Sequence, residues 1–209
     1  RHETAPALTA HAVPRVDGQH ASWGGLARSV MNVFVLTAGR SGSTTFIAAC
    51  RHITNYSAGH ETRTRCIGPA RLAYPERHIE ADNRLAWYLG RLDATYGERA
   101  RYVHLIRDPE ACAASFARRA DFGIMQAWRE GVLLGGEAEQ TAHGLALDYL
   151  VTVQANIDLF LRDKPHVMTF RLENARADFR AFWDWIGAEG DLAAALAEWE
   201  QRYNASPEG

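Results

Sequence analysis

The residues best placed to do chemistry form one stretch, Gly39-Arg40-Ser41-Gly42-Ser43-Thr44-Thr45. Two glycines relieve the sterics of a tight turn, so that backbone N–H groups can converge on a bound anion. Ser43, Thr44 and Thr45 then open a helix, whose N-terminus offers unpaired donors and the positive end of the backbone dipole. Arg40 adds a permanent charge with the fork geometry that suits phosphate or sulfate oxygens. The chemistry this predicts is the holding of an oxyanion. The competing reading is a plain glycine turn between a strand and a helix.

A second cluster is Arg107-Asp108-Pro109, with Ser115 eight residues beyond the arginine. A strand ending at Arg107 would deliver the guanidinium, and two helical turns would bring Ser115 back over the same crevice. A solvated turn with Asp108 as a helix cap accounts for the same residues. Candidate proton acceptors come earlier: His60 and Glu61, then His78, Glu80 and Asp82, with Arg63 beside them as a possible anion contact. Bland readings stand next to these. His60 could merely orient Glu61, Asp82 could cap a helix, Arg63 could belong to a solvated loop, and His104, inside an apolar run, reads as a core histidine.

These residues need elements to position them. Residues 33–36 form a short apolar run of the kind buried on both faces of a parallel sheet. A helix is expected over 44–52 and a short strand over 53–57, which puts Gly59-His60-Glu61-Thr62-Arg63 at a strand's carboxyl end, where open α/β sheets bind ligands. Residues 62–77 read as a long loop, 77–83 as a polar cluster, and 84–96 as a helix capped by Asp82 or Asn83. Residues 101–106 read as a strand followed by a helix, and 121–142 as a lid or insertion. A long amphipathic helix is expected over 144–162, a last strand over 167–170, and terminal helices over 178–186 and 192–202. Residues 1–30 show no sustained period and read as an N-terminal extension or mobile arm, with a helix over 21–30 as the alternative. Residues 31–209 read as a single domain.

The 209 residues are 47% hydrophobic, enough for a sizeable core, and the net charge of -2 gives no general reason to expect a nucleic-acid partner. Three cysteines without metal-ligand spacing suggest free thiols in a reduced compartment, so a cytoplasmic location is expected. No apolar run reads as long enough to span a membrane. The sequence contains one lysine, Lys164, far from the glycine turn. That excludes the Walker pattern of nucleoside-triphosphate P-loops, which needs a lysine before the hydroxyl residue.

Gly-Arg-Ser-Gly-Ser-Thr-Thr is instead similar to the 5′-phosphosulfate loop of sulfotransferases, and Arg107 with Ser115 resembles their 3′-phosphate site. Gly59 to Arg63 resembles the segment of tyrosylprotein and carbohydrate sulfotransferases that carries a catalytic glutamate. The resemblance covers about residues 31–200. It implies a three-layer α/β/α fold with a central parallel sheet, P-loop-like, and sulfuryl transfer from 3′-phosphoadenosine 5′-phosphosulfate (PAPS), without a metal. It implies that Arg40, Ser41, Gly42, Ser43, Thr44 and Thr45 hold the phosphosulfate, that Arg107 and Ser115 hold the 3′-phosphate, and that Glu61 is the base, with Arg40 assisting. His60, Arg63, His78, Glu80 and Asp82 would face the acceptor, a carbohydrate or other small molecule. The late Arg-Lys-Gly contact of cytosolic sulfotransferases is absent, leaving the purine side unassigned. A nucleotide or nucleoside kinase and a non-catalytic anion-binding domain are the alternatives.

Overall fold

Asn32–Leu36 forms β1, and every residue of it is buried. Because side chains alternate along a strand, its two faces feed two separate cores. Val33 and Val35 join Phe46, Ile47, Phe170, Phe179 and Phe182, while Phe34 and Leu36 join Tyr102, Phe116, Tyr149 and Ile157. The computed structural model describes residues 31–200; the expectations for 1–30 and for the end of the last helix lie outside the described residues.

Around β1 the chain lays down α1 (Ser43–Cys50), β2 (Ser57–His60), β3 (His78–Ala81), α2 (Leu89–Thr95), β4 (Ala100–Ile106) and α3 (Pro109–Ala117). Then follow α4 (Gly123–Ala127), α5 (Ala142–Leu161), β5 (Val167–Arg171), α6 (Ala175–Ile186) and α7 (Leu192–Ala197). The five strands are parallel in the order β2-β3-β1-β4-β5. Helices α1, α6 and α7 cover one face, and α2 to α5 the other, giving the expected three layers. From β1 the chain departs through α1 towards β2, whereas the connection from β3 crosses β1 to reach β4. Such a reversal opens a crevice at the carboxyl ends of the strands, directly over the glycine turn.

Several expectations change. The second strand is Ser57–His60, not 53–57; Ile53 makes only an isolated antiparallel bridge to Gly190. The polar stretch at 77–83 contains a strand, β3, buried along its length. Its Ile79 and Ala81 face the α1 core, while His78 and Glu80 alternate onto the other side and bond to each other. The helix expected over 84–96 is two pieces, a 3₁₀ turn at Asn83–Trp87 and α2, with Tyr88 outside helical geometry between them. Residues 123–132 are helical, with Trp128 buried against Tyr149. Helix α5 has the length and apolar composition to cross a membrane, unlike the sequence expectation, but its Leu145, Ala146, Tyr149, Leu150, Val153, Ile157 and Leu161 are buried in the core.

Candidate active site

The glycine turn folds as a cradle. Gly42 caps α1 with φ of 87°, a left-handed conformation open to glycine, and a Cβ there would stand 2.6 Å from a Leu172 methyl. Among the described residues no side-chain hydrogen bond caps α1, whose N-terminus faces the crevice. The cradle is braced from behind: Thr37 Oγ1 accepts from Gly39 N (3.1 Å), and the Tyr149 hydroxyl donates to the Ala38 carbonyl (2.8 Å). The Cys112 thiol donates to the Gly39 carbonyl at 3.2 Å, and Ser41, 2% exposed, donates to the same oxygen at 3.2 Å. Ser41 therefore shapes the turn from within. Ser43, Thr44 and Thr45 form the first turn of α1, with Thr45 buried.

The second motif meets this cradle. Arg40 Nε donates to Ser115 Oγ at 2.9 Å, and Arg107 Nη1 donates to the Arg40 carbonyl at 3.1 Å. Asp108 accepts from Ala111 N and caps α3, with Pro109 in the first turn where a missing N–H costs least. Burial pulls the Arg40 guanidinium below its usual range, and the like charges of Arg119, Arg107 and Arg118 pull it further. Arg40 and Arg107 thus meet at the N-terminal end of the helix α1 dipole, with the charges of Arg118 and Arg119 acting on Arg40, an arrangement that favours a multiply charged anion.

On the opposite flank of the turn, His60 at the end of β2 shares a 3.0 Å hydrogen bond with Ser43 Oγ. Glu61 follows with φ of 55°, unusual for a residue with a side chain, and is held there by its own N–H on the Ala81 carbonyl and by Thr62 N on Glu80 Oε1. Its carboxylate pairs with Arg84 Nη1 at 3.0 Å, both side chains being 36% exposed.

The structure sorts the expected site residues. Arg40, Ser41, Gly42, Ser43, Thr44, Thr45, Arg107, Ser115, His60 and Glu61 gather at the crevice. Glu80 and Asp82 lie beneath it, and His78 lines the neighbouring cleft. Glu80 is fully buried and accepts from Thr62 N, Thr62 Oγ1 and, across a 2.8 Å contact, faces His78 Nε2; Asp82, equally buried, binds Arg71, Thr64 and the Arg84 N–H. With their oxygens met by protein donors, these carboxylates form a buried floor. Gly59 is glycine because a Cβ would collide with Thr62 and Glu80 in that floor. Arg63 reaches the Ala70 carbonyl and lies over the Tyr74 ring, beside a cleft of 370 Å³ lined by Thr62, Arg63, Cys66, Tyr74, Pro75 and His78.

Sequence reasoning missed Asn83, Arg84, Cys112, Arg118 and Arg119. The signal for the first two was the period-two alternation His78-Ile79-Glu80-Ala81-Asp82, which marks a strand whose carboxyl end lies beside β1. Lys164 stays remote, paired with Asp93 at 2.9 Å.

A parallel α/β/α sheet with a glycine turn after its central strand is a fold shared with sulfotransferases. Solved structures agree. The chain matches the sulfotransferase domain from the curacin biosynthetic pathway with a TM-score of 0.56 at 16% identity, over 84% of this chain and 80% of that one. It matches mouse sulfotransferase SULT7A1 complexed with PAP with a TM-score of 0.52 at 12% identity, over 83% of this chain and 65% of that one. No protein-family model and no curated protein matches the sequence.

Proposed function

We propose that this protein is a sulfotransferase that moves a sulfuryl group from PAPS to a hydroxyl or amine of a small acceptor, with carbohydrates favoured. The observation that carries the reading is the meeting of two distant motifs: Arg40 on Ser115, and Arg107 on the Arg40 carbonyl, at the N-terminus of α1. A donor with two phosphate-bearing ends fits that pair of anion sites better than a single phosphate does. The PAP complex of SULT7A1 supports the same donor class.

In this reading the first-turn N–H groups of α1, with Ser43, Thr44 and Thr45, hold the 5′-phosphosulfate, and Arg107 and Ser115 hold the 3′-phosphate. The acceptor approaches from the His60 and Glu61 side, where the cleft beside Arg63 and Tyr74 offers it room. Glu61 takes the acceptor proton as its oxygen or nitrogen attacks sulfur, and the bond from sulfur to the bridging phosphate oxygen breaks, leaving the electron pair on PAP. His60, hydrogen-bonded to Ser43, aligns the acceptor against the cradle.

The test is transfer of labelled sulfate from PAPS to a panel of sugars, phenols, lipids and peptides, with mass analysis of products. Transfer to one acceptor class, abolished in Arg107→Ala and reduced at least about a hundredfold in Glu61→Gln, is expected. A protein that binds no PAPS, or that turns over ATP with magnesium instead, refutes it.

A further inference from the structure

The cradle has two flanks, and each of β1's neighbouring strands sends an arginine to one of them. Arg107 follows directly on the end of β4, and Arg40 turns towards that side to meet Ser115. Strand β3 pairs with β1 on the other side, and three residues past its end comes Arg84. Nothing in the sequence motifs assigns a role to this residue.

Arg84 reaches the crevice through Glu61, the residue after His60, whose ring bonds Ser43 in the first turn of α1. A Cβ on Gly39 would sit 3.1 Å from the side-chain nitrogen of Asn83, the residue before Arg84. The Arg84 backbone is fixed, because its N–H donates to Asp82 Oδ1 at 2.8 Å and Asp82 is locked by Arg71 Nη2 at 2.6 Å. Its side chain is neither buried nor idle: it is 36% exposed and paired with Glu61 at 3.0 Å. If the 3′-phosphate occupies the Arg107 and Ser115 side, the sulfuryl end of the donor must lie on the side of Ser43, His60, Glu61 and Arg84.

We propose that Arg84 is a catalytic residue that binds the sulfuryl group of the donor and stabilises it during transfer, supplying from the end of β3 the cation that the cradle lacks as a lysine. This deepens the sulfotransferase reading and rests on it. The Glu61 partnership gives the step a built-in sequence. The acceptor oxygen forms its bond to sulfur while the sulfur to bridging-oxygen bond breaks towards PAP, and the acceptor proton passes to Glu61. Neutralised, Glu61 no longer competes for the guanidinium, which then follows the negative charge on the sulfuryl and bridging oxygens.

The decisive comparison is PAPS against PAP, which differ by the sulfuryl group alone, measured by titration calorimetry on the whole chain. Arg84→Ala should weaken PAPS binding about tenfold to a hundredfold and leave PAP within about twofold, since one charge-assisted contact is lost. Ser115→Ala should weaken both alike. Arg84→Lys, which keeps the charge and the Glu61 pair should the alanine variant fold poorly, should show the same selective loss at a few-fold level. In the transfer assay, added guanidinium at millimolar concentration should partly restore the alanine variant's kcat. Equal loss of PAPS and PAP affinity, or no loss of either, overturns the role of Arg84 while leaving the donor assignment intact. Failure of the unmutated protein to bind either nucleotide overturns the donor assignment itself.

Discussion

Replacing Asp82 by alanine tests whether the floor under the crevice is held by charge. Asp82 is fully buried and accepts three hydrogen bonds, from Arg71 Nη2 (2.6 Å), Arg84 N (2.8 Å) and Thr64 Oγ1 (3.0 Å). Arg71 is 1% exposed, packed over the Tyr88 ring and bonded to the Tyr74 hydroxyl, so it cannot swing out to water when its partner goes. An uncompensated buried guanidinium costs about 3–5 kcal/mol. Loss of the cap on Arg84 adds about 1 kcal/mol, and Thr64, half-exposed, can turn to water. The sum, about 4–6 kcal/mol, is a large part of the ~5–15 kcal/mol that holds a typical domain together. With a urea slope of about 2 kcal/mol/M, the unfolding midpoint should fall by about 2–3 M. The double variant Arg71→Met with Asp82→Leu should recover most of that loss, because removing both charges leaves neither unpaired. A single-variant shift under about 0.5 M, or a double variant no more stable than the single one, would falsify the charge-held floor.

Three further outcomes follow from particular contacts. Gly42→Ala should abolish PAPS binding and cost about 1–3 kcal/mol of stability, measured by calorimetry and urea unfolding, since φ of 87° and the Leu172 methyl both oppose a Cβ. Alkylation of the native protein should modify Cys66 first: burial pushes the Cys112 thiol up to about 11 and raises Cys50 as well, so those two should react only on unfolding, as read by mass spectrometry. Burial lowers His104, with Asp158 at 3.3 Å opposing, so the unfolded chain binds that proton more readily than the folded one. Stability from this group is therefore complete above pH 6.5 and declines as the pH falls below it, and His104→Leu should flatten the decline in urea midpoints between pH 7.5 and pH 5.5.

How far the sequence reveals this molecule depends on which physical signal each element carries. Strand β1 and its glycine turn are legible because a strand covered on both faces must be apolar throughout and the turn needs glycine where φ is positive. Strand β3 is covered on both faces too, but one of them is a buried polar network of His78, Glu80 and Asp82, so composition reads as surface where burial is complete. Strand β2, Ser-Ala-Gly-His, contains no strand-forming residue and exists because β3 offers it a hydrogen-bonding edge. The site divides the same way. The approach of Arg107 and Ser115 to the turn follows from spacing along a strand and a helix, whereas Arg84 becomes visible only once β3 is known to lie beside β1. Glu80 and Asp82 have the residue type expected of catalysis, and only the structure shows that protein donors meet their oxygens.

The central position of β1 sets a problem for the chain as it is made. Both of its partners lie later in the sequence, β3 at residue 78 and β4 only at residues 100–106, so the Asn-Val-Phe-Val-Leu segment leaves the ribosome well before anything can cover it. At about 5–20 residues per second, that exposure lasts on the order of 10 s. A bare apolar strand of this kind is a template for association between nascent chains. Expression at lower temperature or with a holdase chaperone should therefore raise the soluble yield through β1 alone, before the cradle that follows it has closed.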